Sequence, residues 1–251
     1  FDRHAARRER ADGVEIDVRV SADDTLVLSH DATLSPIRCR SLDGRRVPAG
    51  VAIRGLSFEA LRRFDCGAVA DPGFRSQRAV PGTRIPSLAE VLDLLGATGS
   101  PGTGKATLFL ELKYEEGPPA LSPPRDLFAR LVVDLLEEHG FADRTIVLSF
   151  DHSLLGTVRV LAPALRTMPL VDQDVDLAAL AQREQAQWVG ARHGRLTAAS
   201  VEALHAAGVK VFAWTANAPR DQDRLPALGV DALGTDDPQA LVERWKERGP
   251  R

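Results

Sequence analysis

The 251-residue chain has little of what marks the more specialised protein classes. It has two cysteines, one methionine, one tyrosine and only 5% aromatic residues. Cys39 and Cys66 are too few for a disulfide scaffold or a thiolate zinc site. Two buried free thiols are expected, with a single bridge as the alternative, so the redox compartment stays open. No uninterrupted apolar run approaches the ~18 residues of a membrane span, and no transmembrane segment is expected. Lysine and arginine number 32 against 35 acidic residues, a net charge of −3, so there is no basic excess to suit nucleic acid. Neither a Gly-x-Gly-x-x-Gly turn after the first strand nor a phosphate-loop lysine motif is present, which disfavours nucleotide-binding open sheets. The only methionine is Met168 and the chain opens at Phe1. Processing or truncation is therefore expected to have removed the natural N-terminus, which leaves localisation unreadable. The oligomeric state is equally illegible.

What is present suits a globular core: 44% hydrophobic and 27% charged residues exclude collagen, coiled coil and bulk disorder. Short β-like runs cover Gly13 to Val20, Thr25 to Ser29, Ala106 to Lys113, Arg144 to Phe150, Arg166 to Val171, Gln187 to Gly190, Val209 to Thr215 and Val230 to Thr235. Helical patterns lie between them. Ser87-Leu-Ala-Glu90 reads as a capping box ahead of Val91, Leu92 and Leu95. Leu127, Phe128, Leu131, Val132, Leu135 and Leu136 form a stripe closed by His139-Gly140, and a third helix runs from Thr197 to Gly208. This alternation predicts a parallel α/β sheet, either doubly wound or closed as a barrel, in a single domain over 1–251. Residues 35–86, weak in strand signal and with one short helix from Ser57 to Phe64, read as an excursion from that scaffold.

The chemistry starts on Val14-Glu15-Ile16-Asp17-Val18-Arg19-Val20. Alternation in a strand puts the aliphatic residues on one face and Glu15, Asp17 and Arg19 on the other. Carboxylates at i and i+2 are ~6–7 Å apart at Cα, close enough to share an ion. Leu108 to Lys113 repeats the pattern, with leucines on one face and Glu111 and Lys113 on the other. In a barrel such charges face inward near the C-terminal rim, where active sites lie. Glu15, Asp17 and Glu111 then offer three hard oxygen ligands, suited to Mg²⁺ or Ca²⁺, while Lys113 meets an anionic substrate group. His30 follows the run Leu26–Ser29 and is a candidate acid or base, with Asp31 to orient it. Trp214, ending the run from Val209, could wall a ligand pocket. The other histidines (His4, His139, His152, His193 and His205) read as surface or capping residues.

Seven segments in order resemble the glycerophosphodiester phosphodiesterase family. They are Ala11-Asp12-Gly13-Val14-Glu15-Ile16-Asp17-Val18, Ser29-His30-Asp31 with Thr33-Leu34, Arg84-Ile85-Pro86-Ser87-Leu88-Ala89-Glu90-Val91-Leu92, and Leu110-Glu111-Leu112-Lys113. Ser149-Phe150-Asp151, Ala213-Trp214-Thr215-Ala216-Asn217, and Gly229-Val230-Asp231 with Thr235-Asp236 complete the series. The resemblance implies a TIM-type (β/α)₈ barrel that hydrolyses glycerophosphodiesters to an alcohol and glycerol 3-phosphate with a divalent metal. It puts metal ligands on Glu15, Asp17 and Glu111, a catalytic histidine on His30 and a phosphate-side lysine on Lys113. The small-molecule phosphodiester is then the partner.

One departure stands out. The family's opening strand with His-Arg-Gly, and the Glu-Asn pair soon after it, have no counterpart in this chain. The first barrel strand, one catalytic histidine and one phosphate-binding arginine are thus expected to be missing, and the chain as given to be catalytically impaired. The alternatives are a non-catalytic homologue that binds phosphodiesters, or a phospholipase-type relative on the same barrel. An enolase-type metal enzyme fits less well, because there each of three successive strands gives one carboxylate, whereas two share a strand here.

Overall fold

In the computed structural model, residues 11–74, 76–97, 106–117 and 121–247 are described. They fall into two compact units. The first comprises 11–15, 106–110 and 143–247, the second 16–97 and 111–142.

The first unit is a βα repeat. Its strands come from β1 (Gly13–Val20), β5 (Thr107–Leu112), β6 (Thr145–Ser149), β7 (Arg166–Val171), β8 (Trp188–Arg192), β9 (Lys210–Trp214) and β10 (Ala232–Leu233). They are hydrogen-bonded in the order β10-β9-β8-β7-β6-β5-β1. The pairs from β6 to β10 are parallel, and Thr107 N–H donates to Asp12 O at the start of β5. Helices α4 (His152–Leu161), α5 (Leu177–Arg183), α6 (Ala198–Ala206) and α7 (Pro219–Ala227) alternate with these strands, and α8 (Pro238–Glu247) follows them. Every residue of β6 is buried, as a parallel strand covered on both faces requires. This order of parallel strand and helix is that of a TIM-type (β/α)₈ barrel. The expectation about a missing first strand falls on 1–10 and whatever precedes it, outside the described residues.

The second unit holds the rest of β1 and β5, and its other elements differ in kind. Strand β2 (Leu26–Leu28) turns back antiparallel on Val18–Val20, so the run from Thr25 is a hairpin partner of β1. Strands β3 (Arg40–Ser41) and β4 (Phe64–Asp65) pair antiparallel, and α1 (Phe58–Leu61) is capped by the Ser57 side chain. The excursion 35–86 therefore has structure of its own, around a core of Leu34, Cys39, Val47, Ile53, Leu61 and Ile85 that also includes Val27. Helix α2 (Leu88–Gly96) starts with the expected capping box, Ser87 and Glu90 bonding each other's backbone N–H. Helix α3 (Arg125–Glu138) buries Phe128, Val132, Val133 and Leu136 and stops at Gly140, whose φ of +65° suits a residue without a side chain.

The cysteine expectation is corrected here. Cys39 and Cys66 are joined in a disulfide across 27 residues of sequence. Arg40 lies opposite Asp65 in the β3–β4 pair, so the residues just outside that pair, Cys39 and Cys66, face each other. Two-residue strands leave no periodic signal, which is why the pairing is invisible in the sequence.

Candidate active site

Strand β1 sorts its side chains as the alternation requires. Ile16, Val18 and Val20 are buried, while Asp17 is half-buried and Glu15 exposed. Leu108, Leu110 and Leu112 of β5 are buried, Glu111 retains only 7% of its surface, and Lys113 follows directly. Lys113 N–H donates to Val18 O, which brings the end of β5 level with Asp17. Glu15, two residues before Asp17 on the same strand, shares its face.

These placements bring the three predicted ligands together. Glu15, Asp17 and Glu111 each offer a carboxylate oxygen, all within 4.8 Å of one another. Oxygens on one cation at about 2.0–2.6 Å lie within about 5 Å of each other, so the spacing fits a shared ion. Three carboxylates are a hard oxygen donor set that could hold a metal ion. Glu111 is the most buried of the three, and its Oε1 faces the Lys113 ammonium.

Lys113 completes the cluster, with Nζ 2.8 Å from Glu111 Oε1 and 3.2 Å from Asp17 Oδ1. Toward Glu111 Oε1 it acts as a point charge without the alignment of a hydrogen bond. Burial pushes the Glu111 carboxyl up, and the Asp17 charge adds to that, against the pull of Lys113 and His30. Burial works against the Lys113 charge, but the Asp17 and Glu111 carboxylates outweigh it and hold the ammonium above its ordinary value. Lys113 stays protonated.

His30 stands beside this cluster because Ser29 N–H donates to Asp17 O. Its side chain is 65% exposed, and Nδ1 lies 2.9 Å from Asp31 Oδ1. With Nδ1–H donating to the carboxylate, Nε2 is left as the basic nitrogen. The Asp31 carboxyl is held below its usual range first by the His30 hydrogen bond, which outweighs its partial burial, and then by the charges of His30, Arg38 and Arg19. Asp31 therefore remains an anion able to orient and charge the ring.

Arg19 is the residue that sequence reasoning left without a role. It is 4% exposed, and its Nε and Nη2 donate to His30 O at 3.1 and 2.8 Å. Nη2 also meets Glu115 Oε1 at 2.7 Å. The available signal was its position two residues beyond Asp17, on the carboxylate face.

Trp214, in the first unit, ends β9 and stands edge-on to Phe150, with ring centroids 5.5 Å apart. It packs against a cluster including Phe109, Met168 and Phe212, yet its Nε1 is buried with no hydrogen-bond partner. The remaining described histidines do cap or bridge. His139 ends α3 and pairs with Asp93, His152 opens α4, His193 lies beside Asp221 and His205 bonds Asp231. His4 lies outside the described residues.

Comparison with known proteins identifies the family. The model of the glycerophosphoryl diester phosphodiesterase family matches residues 3–240. A glycerophosphodiester phosphodiesterase of Caldanaerobacter subterraneus subsp. tengcongensis is 28% identical over 240 residues, covering 95% of this chain and 88% of its own. A solved structure from Silicibacter pomeroyi, provisionally assigned as a glycerophosphoryl diester phosphodiesterase, superposes with a TM-score of 0.83 at 25% identity, over 94% of this chain and 84% of that one. An Oleispira antarctica phosphodiesterase, solved with its product sn-glycerol-3-phosphate, gives a TM-score of 0.77 at 24% identity, over 97% and 88%. With a family model spanning nearly its whole length, the chain belongs to the glycerophosphoryl diester phosphodiesterase family.

Proposed function

We infer that this protein is a phosphoric diester hydrolase that cleaves glycerophosphodiesters to an alcohol and glycerol 3-phosphate with the help of a divalent cation. The observation that carries the reading is the carboxylate triad, three hard oxygens within 4.8 Å of one another with Glu111 buried among them. Glu15, Asp17 and Glu111 would hold the ion. When bound, a Mg²⁺ or Ca²⁺ there would supply Lewis-acid chemistry, easing loss of a proton from the attacking hydroxyl and offsetting negative charge on the phosphoryl group. The substrate's glycerol hydroxyl would attack phosphorus and break the bond to the alcohol, which leaves with a proton; water would then open the resulting cyclic phosphate to glycerol 3-phosphate. Lys113, protonated between Asp17 and Glu111, offers its ammonium to the diester anion. His30 moves a proton at Nε2, its ring held by Asp31 and its backbone by Arg19. Trp214, edge-on to Phe150 and with its indole N–H unspent, is assigned a substrate-binding role. The whole chain is read as one catalytic domain carrying the excursion.

The test is release of glycerol 3-phosphate from glycerophosphocholine, with a chelator and after adding back Mg²⁺ or Ca²⁺. Turnover that needs the cation and disappears in Glu111→Gln is expected. If calorimetry finds no cation bound, and the cation leaves the melting temperature unchanged, the metal assignment is overturned.

A further inference from the structure

The excursion 35–86 is charged unlike the rest of the chain. It carries ten arginines and no lysine against four acidic residues (Asp43, Glu59, Asp65 and Asp71), a net of +6 in a chain whose total is −3. Everything outside it is correspondingly acidic. Several of the arginines are committed within the fold: Arg54 to Asp24, Arg62 to Glu90, Arg38 to Asp31 and Asp71, and Arg40 to backbone carbonyls. Arg46, Arg63, Arg78 and Arg84 have no carboxylate partner among the described residues, and all four are exposed.

The same segment bares apolar side chains that its own core does not take. Ile37, Leu42, Phe74 and Val80 are between 43% and 66% exposed, and Val69 also faces solvent. Two of the loops concerned are tied together, because Arg38, next to Ile37, reaches Asp71, whose carboxylate and carbonyl organise the turn carrying Phe74. The Cys39–Cys66 bridge then joins the start of the excursion to its middle. Exposed aliphatic and aromatic groups in one segment with unpaired arginines are the chemistry of a surface that enters an anionic bilayer interface. Nucleic acid would use the charges but leave the apolar groups in water.

We propose that the excursion 35–86 docks this protein on an anionic lipid surface, with Leu42, Phe74 and their apolar neighbours entering the interface and Arg46, Arg78 and Arg84 meeting lipid phosphates. The net acidic remainder of the chain gains nothing from such a surface, so the attraction comes from the excursion. On the functional reading above, docking also brings the catalytic residues to the lipid headgroups, since Asp31, the partner of His30, is bonded to Arg38 of the excursion.

The experiment is sedimentation of the whole protein with vesicles of phosphatidylcholine alone or mixed with phosphatidylglycerol. It reads binding and not turnover, so its failure leaves the catalytic reading untouched. Binding is expected only to the anionic vesicles, and raising the salt from about 0.1 M to 1 M should release it as the screening length shrinks from about 10 Å to 3 Å. Each basic side chain at such a surface is worth about a factor of five, so R46Q/R78Q/R84Q should weaken partitioning about 100-fold. Leu42→Ser with Phe74→Ser should weaken it by at least about tenfold at unchanged net charge. All five side chains are exposed, so an unchanged melting temperature is expected, and the salt release is read on the unaltered protein in any case. Equal binding to neutral vesicles, or none to anionic ones, overturns the proposal. So does loss with the arginine set alone accompanied by equal binding to duplex DNA, or self-association that the Leu42 and Phe74 variants abolish.

Discussion

Strands β6 and β1 show two uses of the same secondary structure. In β6 every residue from Thr145 to Ser149 is buried, with Ile146, Val147 and Leu148 in the core and Ser149 Oγ accepting from Asp151 N–H. In β1 one face is as apolar as β6, while the other carries Glu15, Asp17 and Arg19. The difference extends to their surroundings. From 143 onward strands and helices alternate without interruption, whereas the region after β1 has a hairpin, a disulfide and a separate small core. Charge on a strand inside a fold is costly unless it is paired or bound. Here it is concentrated where Lys113, and a cation in the functional reading, can answer it.

The largest expected effect separates the two kinds of strand by activity. His30→Ala should lower kcat by about 10²–10⁴, the worth of one general acid or base, while cation binding and melting temperature stay as they were. Near-wild-type turnover would return His30 to a structural role. Leu148→Ala in β6 should do the reverse, costing about 2–5 kcal/mol in denaturant unfolding without altering cation affinity, because it opens a cavity in a close-packed core. A loss of cation affinity at unchanged stability would show that β6 does more than pack.

Next in size is the disulfide. Closing a loop of this length restrains the unfolded chain by about 3.5 kcal/mol in the chain-entropy model. The double variant C39S/C66S should therefore lose about 2–4 kcal/mol, and hydrogen exchange should quicken chiefly within 35–86. Uniform loss of protection across β6 to β9 would show that the excursion is not a separate unit of stability. The smallest effect belongs to Glu90. Burial raises its pKa, but the Ser87 N–H and Arg62 outweigh that and hold the carboxyl below its ordinary range. Its contribution is present above about pH 4.3, the unfolded value, and is lost as the pH falls through the lower folded value. Glu90→Gln should cost about 0.5–1 kcal/mol at pH 7 and flatten the acid limb of the stability curve below pH 4.3. An unchanged acid limb would remove Glu90 from that account.

The regular half of the molecule was the more legible. β1 and β7 have the bounds that alternation and apolar content predict, and α2 starts at its capping box. Helix α7 was not, because it buries Asp221 and Gln222 alongside Leu225, contains Pro226, and so presents no apolar stripe to recognise. The excursion gave little away for a similar reason: its strands are two residues long, and its core draws single residues from loops.

What the sequence determined by itself is local and periodic. A repeat of two assigns Glu15, Asp17 and Arg19 to one face and the valines and isoleucine to the other, whatever the strand packs against. What only the tertiary structure decided depends on pairs distant in sequence. It set Glu111 against Asp17 with Lys113 between them, buried Arg19 under the His30 carbonyl, and joined Cys39 to Cys66. Each of those outcomes follows from strand register and loop closure, which no local pattern encodes, because the free energy that selects them comes from burying the whole core at once.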